Sequence, residues 1–289
     1  MIEHISDTAR WVAYYRAMET DRPDAIFRDP FARRLAGTKG EAIVDSLRNA
    51  RRTAWAMIVR TAIFDELILD RIQHRGATLV LNLACGLDTR AYRLPLPAEL
   101  RWIDVDLPGI LDYKTSALAS ESPRCRYEAV AADLNDPVAR DDLFTRIGAA
   151  DPRVLVVTEG LLVYLTPEQV LGLARALHDR PSFHWWLIDL ASPRLLKLLK
   201  RSWGAQLDQG NAPFKFGPAE GTAFFNATGW REEIFRSAID EARRLHREMS
   251  MMWLWRALGR LSSRQEREEV RRMSGFVLLE RIEGSSGTV

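Results

Sequence analysis

Residues 78–90 read TLVLNLACGLDTR, a short apolar run that leads into a turn with one glycine. The run at 78–83 is shorter than a typical helix and has the continuous apolar character of a strand buried on both faces. Before Gly76 the apolar residues recur at helical spacing, and after it short apolar runs alternate with helical stretches. A sheet therefore begins at this stretch, which predicts an α/β fold.

The sheet is predicted to contain about seven strands. Strands that alternate with helices are typical of a doubly wound, parallel sheet with helices on both faces. The last strand is expected to close the sheet. The predicted strands are 78–83, 100–105, 126–131, 154–157, 184–190, 229–235 and 275–282, and the predicted helices are 110–119, 137–147 and 167–177, with a further helical region at 239–258.

Two segments lie outside this alternation. Residues 1–75 have apolar residues at three-to-four spacing and no convincing strand, so they are predicted to form an amino-terminal helical cap. Residues 76–289 are predicted to form the sheet domain. Within that domain, 193–222 is rich in Pro, Gly and Lys, fits neither a strand nor a regular helix, and is interpreted as a lid beside the site.

The composition excludes several classes of protein. The 289 residues include 41 basic and 39 acidic side chains, and the net charge of +2 gives no electrostatic basis for binding nucleic acid. No apolar run approaches the roughly 18 residues of a membrane-spanning helix, and the first residues do not resemble a signal peptide. Two cysteines and five histidines show no ligand spacing, so no metal site is expected. We expect a cytoplasmic protein with small partners and no membrane.

The residues that follow the strands are the candidates for chemistry, because a doubly wound sheet binds ligands at the carboxyl ends of its strands. Gly86 follows the first strand and permits close approach of a ligand to the backbone. Asp106 follows the second strand, twenty residues beyond Gly86, and a carboxylate at that spacing can accept both hydroxyls of a ribose. The pair predicts a nucleoside site. Asp104, within the same strand, is a second candidate for a cofactor contact, and its alternative role is a salt bridge to a helix.

Two further strand ends carry polar side chains. Asp133 and Leu134 follow the third strand. The Asp133 carboxylate suits the exocyclic amine of a purine, and the Leu134 side chain suits the face of its ring. The alternative role of Asp133 is to cap the next helix. Glu159 ends the fourth strand and needs a cationic or donor partner, because an unpaired buried carboxylate is costly. The amino group or sulfonium of a ligand would supply that partner. Arg60, on the helix before the sheet, is a candidate partner for a ligand carboxylate.

These strand ends favour S-adenosylmethionine over other adenine cofactors. The turn after the first strand is not Gly-x-Gly-x-x-Gly, so the dinucleotide fingerprint is missing. None of the four strand ends has the glycine-rich loop with lysine that cradles a triphosphate. The predicted ligand is a nucleoside with a positive or zwitterionic tail, a description that S-adenosylmethionine fits better than NAD or ATP.

Six stretches in order along the chain read SDTARW (6–11), RPDAIFRDPFA (22–32), RTAIFDE (60–66), LNLACGLDTR (81–90), VDLP (105–108) and TEGLLVYL (158–165). Together they resemble the leucine carboxyl methyltransferase-like family, and more narrowly its bacterial branch of S-adenosylmethionine-dependent O-methyltransferases. The resemblance covers nearly the whole chain and implies a class I methyltransferase sheet with an added helical cap. The family often has glycine where this chain has Ala84. The resemblance implies cofactor contacts at Arg60, Gly86, Asp106, Asp133, Leu134 and Glu159.

The resulting hypothesis is an enzyme that transfers a methyl group from S-adenosyl-L-methionine to a carboxylate or hydroxyl oxygen of a small molecule or peptide. A carboxylate acceptor is already anionic near neutral pH, whereas a hydroxyl acceptor needs a general base. The strand ends supply no histidine-based dyad, which favours a carboxylate or an acidic phenol, and a histidine or lysine facing the acceptor would weaken that preference. The substrate pocket is expected between the cap and residues 193–222.

Two alternatives remain open at this stage. One is a non-catalytic regulatory protein that keeps a nucleoside site, and the other is an NAD-linked oxidoreductase on a similar sheet. The missing three-glycine fingerprint argues against the oxidoreductase. The sequence identifies neither the methyl acceptor nor the oligomeric state.

Overall fold

The computed structural model describes residues 5–46, 50–150, 153–209, 213–249 and 263–283. Its strands are β1 (Leu79–Leu83), β2 (Arg101–Asp106), β3 (Arg126–Ala131), β4 (Val154–Thr158), β5 (Phe183–Ala191), β6 (Trp230–Ser237) and β7 (Ser274–Arg281). Its α-helices are α1 (Ile5–Thr20), α2 (Ala32–Ser46), α3 (Ala50–Arg75), α4 (Arg90–Arg93), α5 (Pro108–Ala117), α6 (Pro137–Ala150), α7 (Pro167–His178), α8 (Pro193–Gln209), α9 (Ala238–Arg244) and α10 (Arg264–Arg271). Short 3-10 helices occupy Leu162–Tyr164 and Gly221–Thr228.

The strands form one sheet in the order β3-β2-β1-β4-β5-β7-β6. The chain starts at β1 in the middle, moves outward to β3, and returns to β4 on the other side of β1. Strands β1 and β4 are buried along their whole length, as the continuous apolar runs predict. The predicted α/β, doubly wound sheet of seven strands is confirmed, and the reversal of strand order between β1 and β4 creates a crevice at their carboxyl ends.

The last strand does not close the sheet at its edge, so that prediction is wrong. Strand β7 lies between β5 and β6 and pairs antiparallel with both, which makes the sheet mixed. The apolar run from Phe276 to Leu279 is fully buried and needs a neighbour on each side. Strand β6 carries Arg231, Glu232 and Glu233, and charged side chains suit an edge strand because they discourage further pairing.

The apolar core lies in two layers, one on each face of the sheet. Helices α1, α2, α3, α5 and α9 cover one face, and α6 and α7 cover the other. Because successive strand residues point to opposite faces, Trp185 belongs to the first layer and its neighbour Trp186 to the second. None of the described helices combines the length and apolar content that crossing a bilayer requires.

Helix α1 is tied to the turn after β1 by a buried polar cluster. Arg16 donates from Nε to Asp29 Oδ2 at 2.8 Å and from Nη2 to the carbonyl oxygen of Leu87. Thr89 donates its hydroxyl to the same Asp29 oxygen at 2.7 Å. Burial raises the pKa of Asp29, but the guanidinium groups of Arg16 and Arg93 outweigh burial and hold that pKa below its ordinary value. The amino-terminal helices thus cover the strand ends, while their status as a separate domain stays a prediction.

The segment 193–222 differs from its prediction at its start. Residues 193–209 form α8, a regular helix with a proline at its first position, where proline suits a helix. Leu195, Leu196 and Leu199 recur at helical spacing, and this periodicity outweighs the Pro- and Lys-rich composition on which the prediction relied. Residues 210–212 lie outside the described residues, and a lid role for this segment stays a prediction.

The helical region predicted at 239–258 is shorter than expected in its described part. Helix α9 ends at Arg244, and a turn with positive φ at His246 follows it. Residues 250–258 of this prediction lie outside the described residues.

Asp104 is a buried anchor of β2. It is 1% exposed and accepts hydrogen bonds at 2.9 Å from Trp102 Nε1, Asn82 Nδ2 and the hydroxyl of Tyr127. It also forms an ion pair with Lys114 of α5, which is completely buried. Burial lowers the pKa of Lys114, but Asp104, together with Cys85 and Asp88, outweighs burial and raises it above its ordinary value. Of the two roles weighed for Asp104, the salt bridge to a helix is the one observed.

Lys114→Met is expected to lower the free energy of unfolding by about 3–5 kcal/mol, because it leaves the Asp104 carboxylate buried without its cation. Arg146→Met is the matched control, since the Arg146 side chain is 60% exposed in its ion pair with Glu128. The control should lose less than about 1 kcal/mol. Urea denaturation measures both values, and equal losses in the two variants would contradict the anchor role of Asp104.

Candidate functional site

A cavity of about 980 Å³ lies at the carboxyl ends of β1, β2, β4 and β5, where the strand order reverses. This volume is at the upper end of the roughly 300–1,000 Å³ that is typical of ligand pockets. Residues of α1 and α3 line it together with α8 and residues 213–216. A smaller cavity of about 660 Å³, at the opposite edge of the sheet, contains none of the predicted site residues. The larger cavity contains all six: Arg60, Gly86, Asp106, Asp133, Leu134 and Glu159.

The turn after β1 has an unusual backbone. Ala84 and Gly86 both adopt a φ of 51°, in the left-handed region that favours glycine. A Cβ at Gly86 would lie 3.2 Å from the Cβ of Ala9 on α1, so the close approach of the cap also requires glycine there. Ala84 adopts this conformation against the preference of a side chain. The turn thereby brings backbone close to the cavity.

Asp106 is held at the end of β2 by two backbone groups. Its Oδ2 accepts a hydrogen bond from the Gly86 N–H and its Oδ1 one from the Leu107 N–H, both at 2.7 Å. Burial raises the pKa of Asp106, and the two N–H donors oppose that rise only in part. A carboxylate has about four acceptor positions, so each oxygen can accept one more hydrogen bond. The orientation is therefore fixed for a ligand that offers two neighbouring hydroxyl groups.

Glu159 is paired by the protein itself. Its Oε1 lies 2.9 Å from Arg60 Nε and its Oε2 lies 2.7 Å from Arg90 Nη1. Burial raises the pKa of Glu159, but Arg90 and Arg60 outweigh burial and hold it below its ordinary value. The expectation that a ligand cation balances this carboxylate is therefore wrong: two arginines on α3 and α4 already do so.

Arg60 has a second carboxylate partner that the sequence interpretation missed. Its Nη1 lies 3.1 Å from Oδ2 of Asp189, and Oδ1 of Asp189 accepts a hydrogen bond at 2.6 Å from the Gly160 N–H. Asp189 stands near the carboxyl end of β5, where the same strand-end rule would have found it. These contacts of Arg60 use Nε and Nη1, and Nη2 donates no hydrogen bond to any of the described residues.

A second polar group surrounds Arg90. Asp88 accepts hydrogen bonds from the backbone and Nη1 of Arg90, at 2.8 and 2.7 Å, and from Asn82 Nδ2 at 3.1 Å. Asp65 of α3 accepts from Arg90 Nε at 2.6 Å and binds both terminal nitrogens of Arg93. Burial raises the pKa of Asp88, but Arg90, Lys114 and Arg16 together outweigh burial and lower it. Asp88 is two residues from Arg90, whereas sequence spacing does not indicate Asp65, because Asp65 lies on a separate helix.

Asp133 and Leu134 lie at the cavity beyond β3. Asp133 is exposed, and its Oδ1 accepts a hydrogen bond from the Asn135 N–H at 2.9 Å, while Leu134 is half-buried. The capping role weighed for Asp133 belongs to Asp136 instead, which accepts hydrogen bonds from the N–H groups of Val138 and Ala139 in α6. Asp133 is therefore available to a ligand.

The remaining wall of the cavity is mainly apolar and aromatic. Burial raises the pKa of Tyr15 to about 12 and also raises that of Tyr164, so both stay protonated near neutral pH. Tyr164 packs on Phe214 with ring centroids 5.6 Å apart. Among the described residues no histidine lines the cavity, and Lys215 is the lysine that does. This wall includes Trp11, Tyr15, Trp55, Tyr164, Leu199 and Phe214.

Residues 9–178 match the family model described as leucine carboxyl methyltransferase. A relative from Mycobacterium avium (strain 104), named "Putative S-adenosyl-L-methionine-dependent methyltransferase", is 30% identical over 260 residues, which cover 79% of this chain and 84% of that protein. Similarly named relatives from Parafrankia sp. (strain EAN1pec) and Streptomyces coelicolor are 37% and 36% identical over 57% and 58% of this chain. Those two matches span 56% and 62% of the relatives' own lengths.

Two solved structures share the architecture. The crystal structure of a DUF574 family protein from Streptomyces avermitilis has a TM-score of 0.57 at 15% identity, and the match covers 95% of this chain and 97% of that one. The structure titled as a putative methyltransferase from Thermobifida fusca has a TM-score of 0.58 at 13% identity and covers 94% of both chains. At such low identity they support the fold alone, which is the predicted class I methyltransferase fold.

Glu159→Gln is expected to lower the free energy of unfolding by about 2–5 kcal/mol near neutral pH, because Arg60 and Arg90 lose their shared charge partner. The pKa of Glu159 in the folded protein lies below the value of 4.5 that applies when it is unpaired. The native protein therefore has this stabilisation in full above about pH 4.5 and loses it as the pH falls through the folded pKa.

Chemical denaturation of both proteins, near neutral pH and stepwise below pH 4.5, checks this expectation. The difference between native protein and variant should shrink as the pH falls. The exposed Glu99→Gln serves as the control, with a change within about 0.5 kcal/mol. A difference for Glu159→Gln that stays constant with pH would contradict the paired-carboxylate account.

Proposed function

The chain belongs to the leucine carboxyl methyltransferase family, and we propose that it is an enzyme that transfers a methyl group from S-adenosyl-L-methionine to an oxygen atom of a small molecule or a peptide. The acceptor oxygen is that of a carboxylate or a hydroxyl group. The observation that carries the proposal is the Asp106 carboxylate, which two backbone N–H groups hold at a strand-order reversal, at the wall of a cavity of about 980 Å³.

The donor set at the strand ends fits the cofactor. Asp106 has acceptor capacity left for both ribose hydroxyls, and the Gly86 turn lets the ligand approach the backbone. Asp133 and Leu134 offer an acceptor and an apolar surface for the adenine. The sulfonium of the cofactor supplies an electrophilic methyl group when bound. These residues bind and orient the nucleoside through atoms that the sheet holds in place.

Arg60 and Glu159 act in this proposal as one buried unit. Their mutual ion pair leaves little net charge, so the site can hold the zwitterionic tail of the cofactor without a large electrostatic imbalance. Arg60 Nη2 is the candidate donor to the carboxylate of that tail. Asp189 keeps Arg60 in position and also binds the backbone at Gly160. Arg60 is thus both a binding group and a structural link.

The apolar wall supports a carboxylate acceptor over a hydroxyl acceptor. A hydroxyl must lose its proton during transfer, whereas a carboxylate is already ionised near neutral pH. Tyr15 and Tyr164 are protonated there, and the Tyr15 hydroxyl donates to the carbonyl oxygen of Ala50. Lys215 is the candidate base for a hydroxyl acceptor, but it is exposed. The cavity's main contribution is alignment of the acceptor and exclusion of water.

Asp106→Asn is expected to raise the Kd for S-adenosylhomocysteine about 10- to 100-fold, because hydrogen bonds to a charged group contribute about 1.5–3 kcal/mol. Isothermal titration calorimetry measures the Kd, and circular dichroism verifies the fold. The matched control is Asp112→Asn, the same change at an exposed position on α5, for which the Kd should stay constant. Equal affinities for the two variants would contradict the role of Asp106.

Transfer of a radiolabelled methyl group to a panel of carboxylic acids, and to matched phenols and alcohols, tests the activity. A methyl ester releases labelled methanol in mild alkali, whereas a methyl ether does not. We expect alkali-labile label from the acids. Alkali-stable label from phenols or alcohols would overturn the carboxylate preference, and S-adenosylhomocysteine binding without transfer to any acceptor would favour a non-catalytic role.

A further inference from the structure

The apolar half of the cavity is the part that α1, α3, α8 and residues 213–216 line. Trp55 and Met57 of α3 and Leu195 and Leu199 of α8 line it and are only half-buried, so part of their apolar surface stays exposed. Exposed apolar surface is unfavourable in water, and a ligand that covers it gains free energy when its own surface is apolar. The apolar half therefore favours a ligand with an apolar body.

The buried cations of the apolar half are already paired by the protein. Arg16 forms an ion pair with Asp29, and Arg60 forms ion pairs with Glu159 and Asp189. Among the described residues of α1, α3, α8 and 213–216, none that lines the cavity is acidic. A positively charged group on a substrate would therefore lose its hydration in this half without meeting a carboxylate.

A second negative charge on a substrate would have one weak partner. Within the described part of these four segments, Lys215 is the basic residue that lines the cavity without an ion pair, and it is exposed. Ion pairs at exposed positions contribute little, because water already solvates both partners. A second carboxylate would exchange its hydration for that one contact. The apolar half therefore disfavours additional charge of either sign.

Peptides fit this half less well than small molecules with few polar groups. Every amide brings a donor and an acceptor that need partners once they are buried. The Tyr15 hydroxyl already donates to the carbonyl oxygen of Ala50, and the Tyr164 hydroxyl is hydrogen-bonded to Thr8. The two tyrosines thus offer aromatic surface to a ligand, while their hydroxyl groups are engaged within the protein.

We propose that the acceptor substrate is a small apolar monocarboxylic acid, with an aromatic or aliphatic body and no charged group besides the acceptor carboxylate. This inference rests on the proposed function, because methyl transfer defines the acceptor. One carboxylate oxygen forms a bond to the methyl carbon while the carbon–sulfur bond breaks and its electron pair stays on sulfur. The positive sulfonium and the negative carboxylate both disappear in this step, which leaves an ester and a thioether. Leu195 and Leu199 act in substrate selection and not in the chemistry.

The test uses three acids that share one body. para-Phenylbenzoate carries the acceptor carboxylate alone, and the other two acids carry a second carboxylate or an aminomethyl group at the far para position. Each acid is titrated by calorimetry into the full chain saturated with sinefungin, an analogue of S-adenosylmethionine in which a charged amine replaces the sulfonium. We expect para-phenylbenzoate to bind at least about tenfold more tightly than either acid with a second charge. Decanoate and decanedioate repeat the comparison on a flexible body, with the same expected preference.

Leu199→Lys adds a basic side chain to the apolar half, and its effect depends on the sign of the second charge. It should narrow the preference for para-phenylbenzoate over the dicarboxylate about tenfold, because the second carboxylate gains a partner. The preference over the aminomethyl acid should not narrow, since like charges repel. The matched control is Val138→Lys on α6, at a position that is 71% exposed and does not line the cavity. The control should bind all the acids as the native protein does, and circular dichroism verifies the fold of both variants.

Equal affinity of the native protein for the three acids, binding of none of the acids, or equal effects of Leu199→Lys and Val138→Lys would each overturn the substrate assignment. The titration with sinefungin separates this failure from failure of the proposed function. Sinefungin binding without a preference among the acids removes the substrate assignment alone. Absence of sinefungin binding removes the proposed function, and with it the assignment of these acids as substrates.

Discussion

A buried set of ion pairs between α3 and the strand ends is the constraint on which the site depends. Arg60 and Arg90 share the carboxylate of Glu159, and Asp189 and Asp88 hold the outer sides of the two arginines. A buried charge without its partner would cost several kcal/mol, so the network is favourable only when every member is present. Its members lie on α3, on α4, in the turns that follow β1 and β4, and near the end of β5. The network therefore joins the cap to the sheet at the cavity.

The two halves of the cavity differ in how firmly their groups are held. Asp106 and the Gly86 turn belong to neighbouring parallel strands, and the ladder of backbone hydrogen bonds fixes their separation. The apolar half is built from side chains of α1, α3 and α8 and from residues 213–216, whose positions depend on packing. The backbone N–H groups of Lys215 and Phe216 donate to the carbonyl oxygen of Val163, which joins that segment to the end of β4. Under the proposed function, the half that the strands hold would bind the cofactor and the half that depends on packing would bind the substrate.

Sequence patterns predicted some elements well and others poorly for identifiable reasons. The buried strands were predictable because continuous apolar runs bounded by turns have few other folded forms. Helix α8 was not predicted, because the Pro-, Gly- and Lys-rich composition of residues 193–222 obscured the helical spacing of the leucines. The position of β7 in the sheet was not predicted. It depends on which neighbouring strands bury the apolar run of β7, and no local sequence pattern specifies those neighbours. Asp189 was missed although it obeys the rule that identified Glu159.

By itself, the sequence determined the seven strands, the helical amino-terminal region and the polar residues at the strand ends, since periodicity and turn chemistry act over a few residues. Only the tertiary structure decided that Glu159 is paired by Arg60 and Arg90, that β7 lies inside the sheet, and that α8 presents leucines to the cavity and cations to solvent. These features depend on contacts between distant parts of the chain, such as the 99 residues that separate Arg60 from Glu159. Local preferences cannot encode such contacts, because their free energy arises only after the core has brought the partners together.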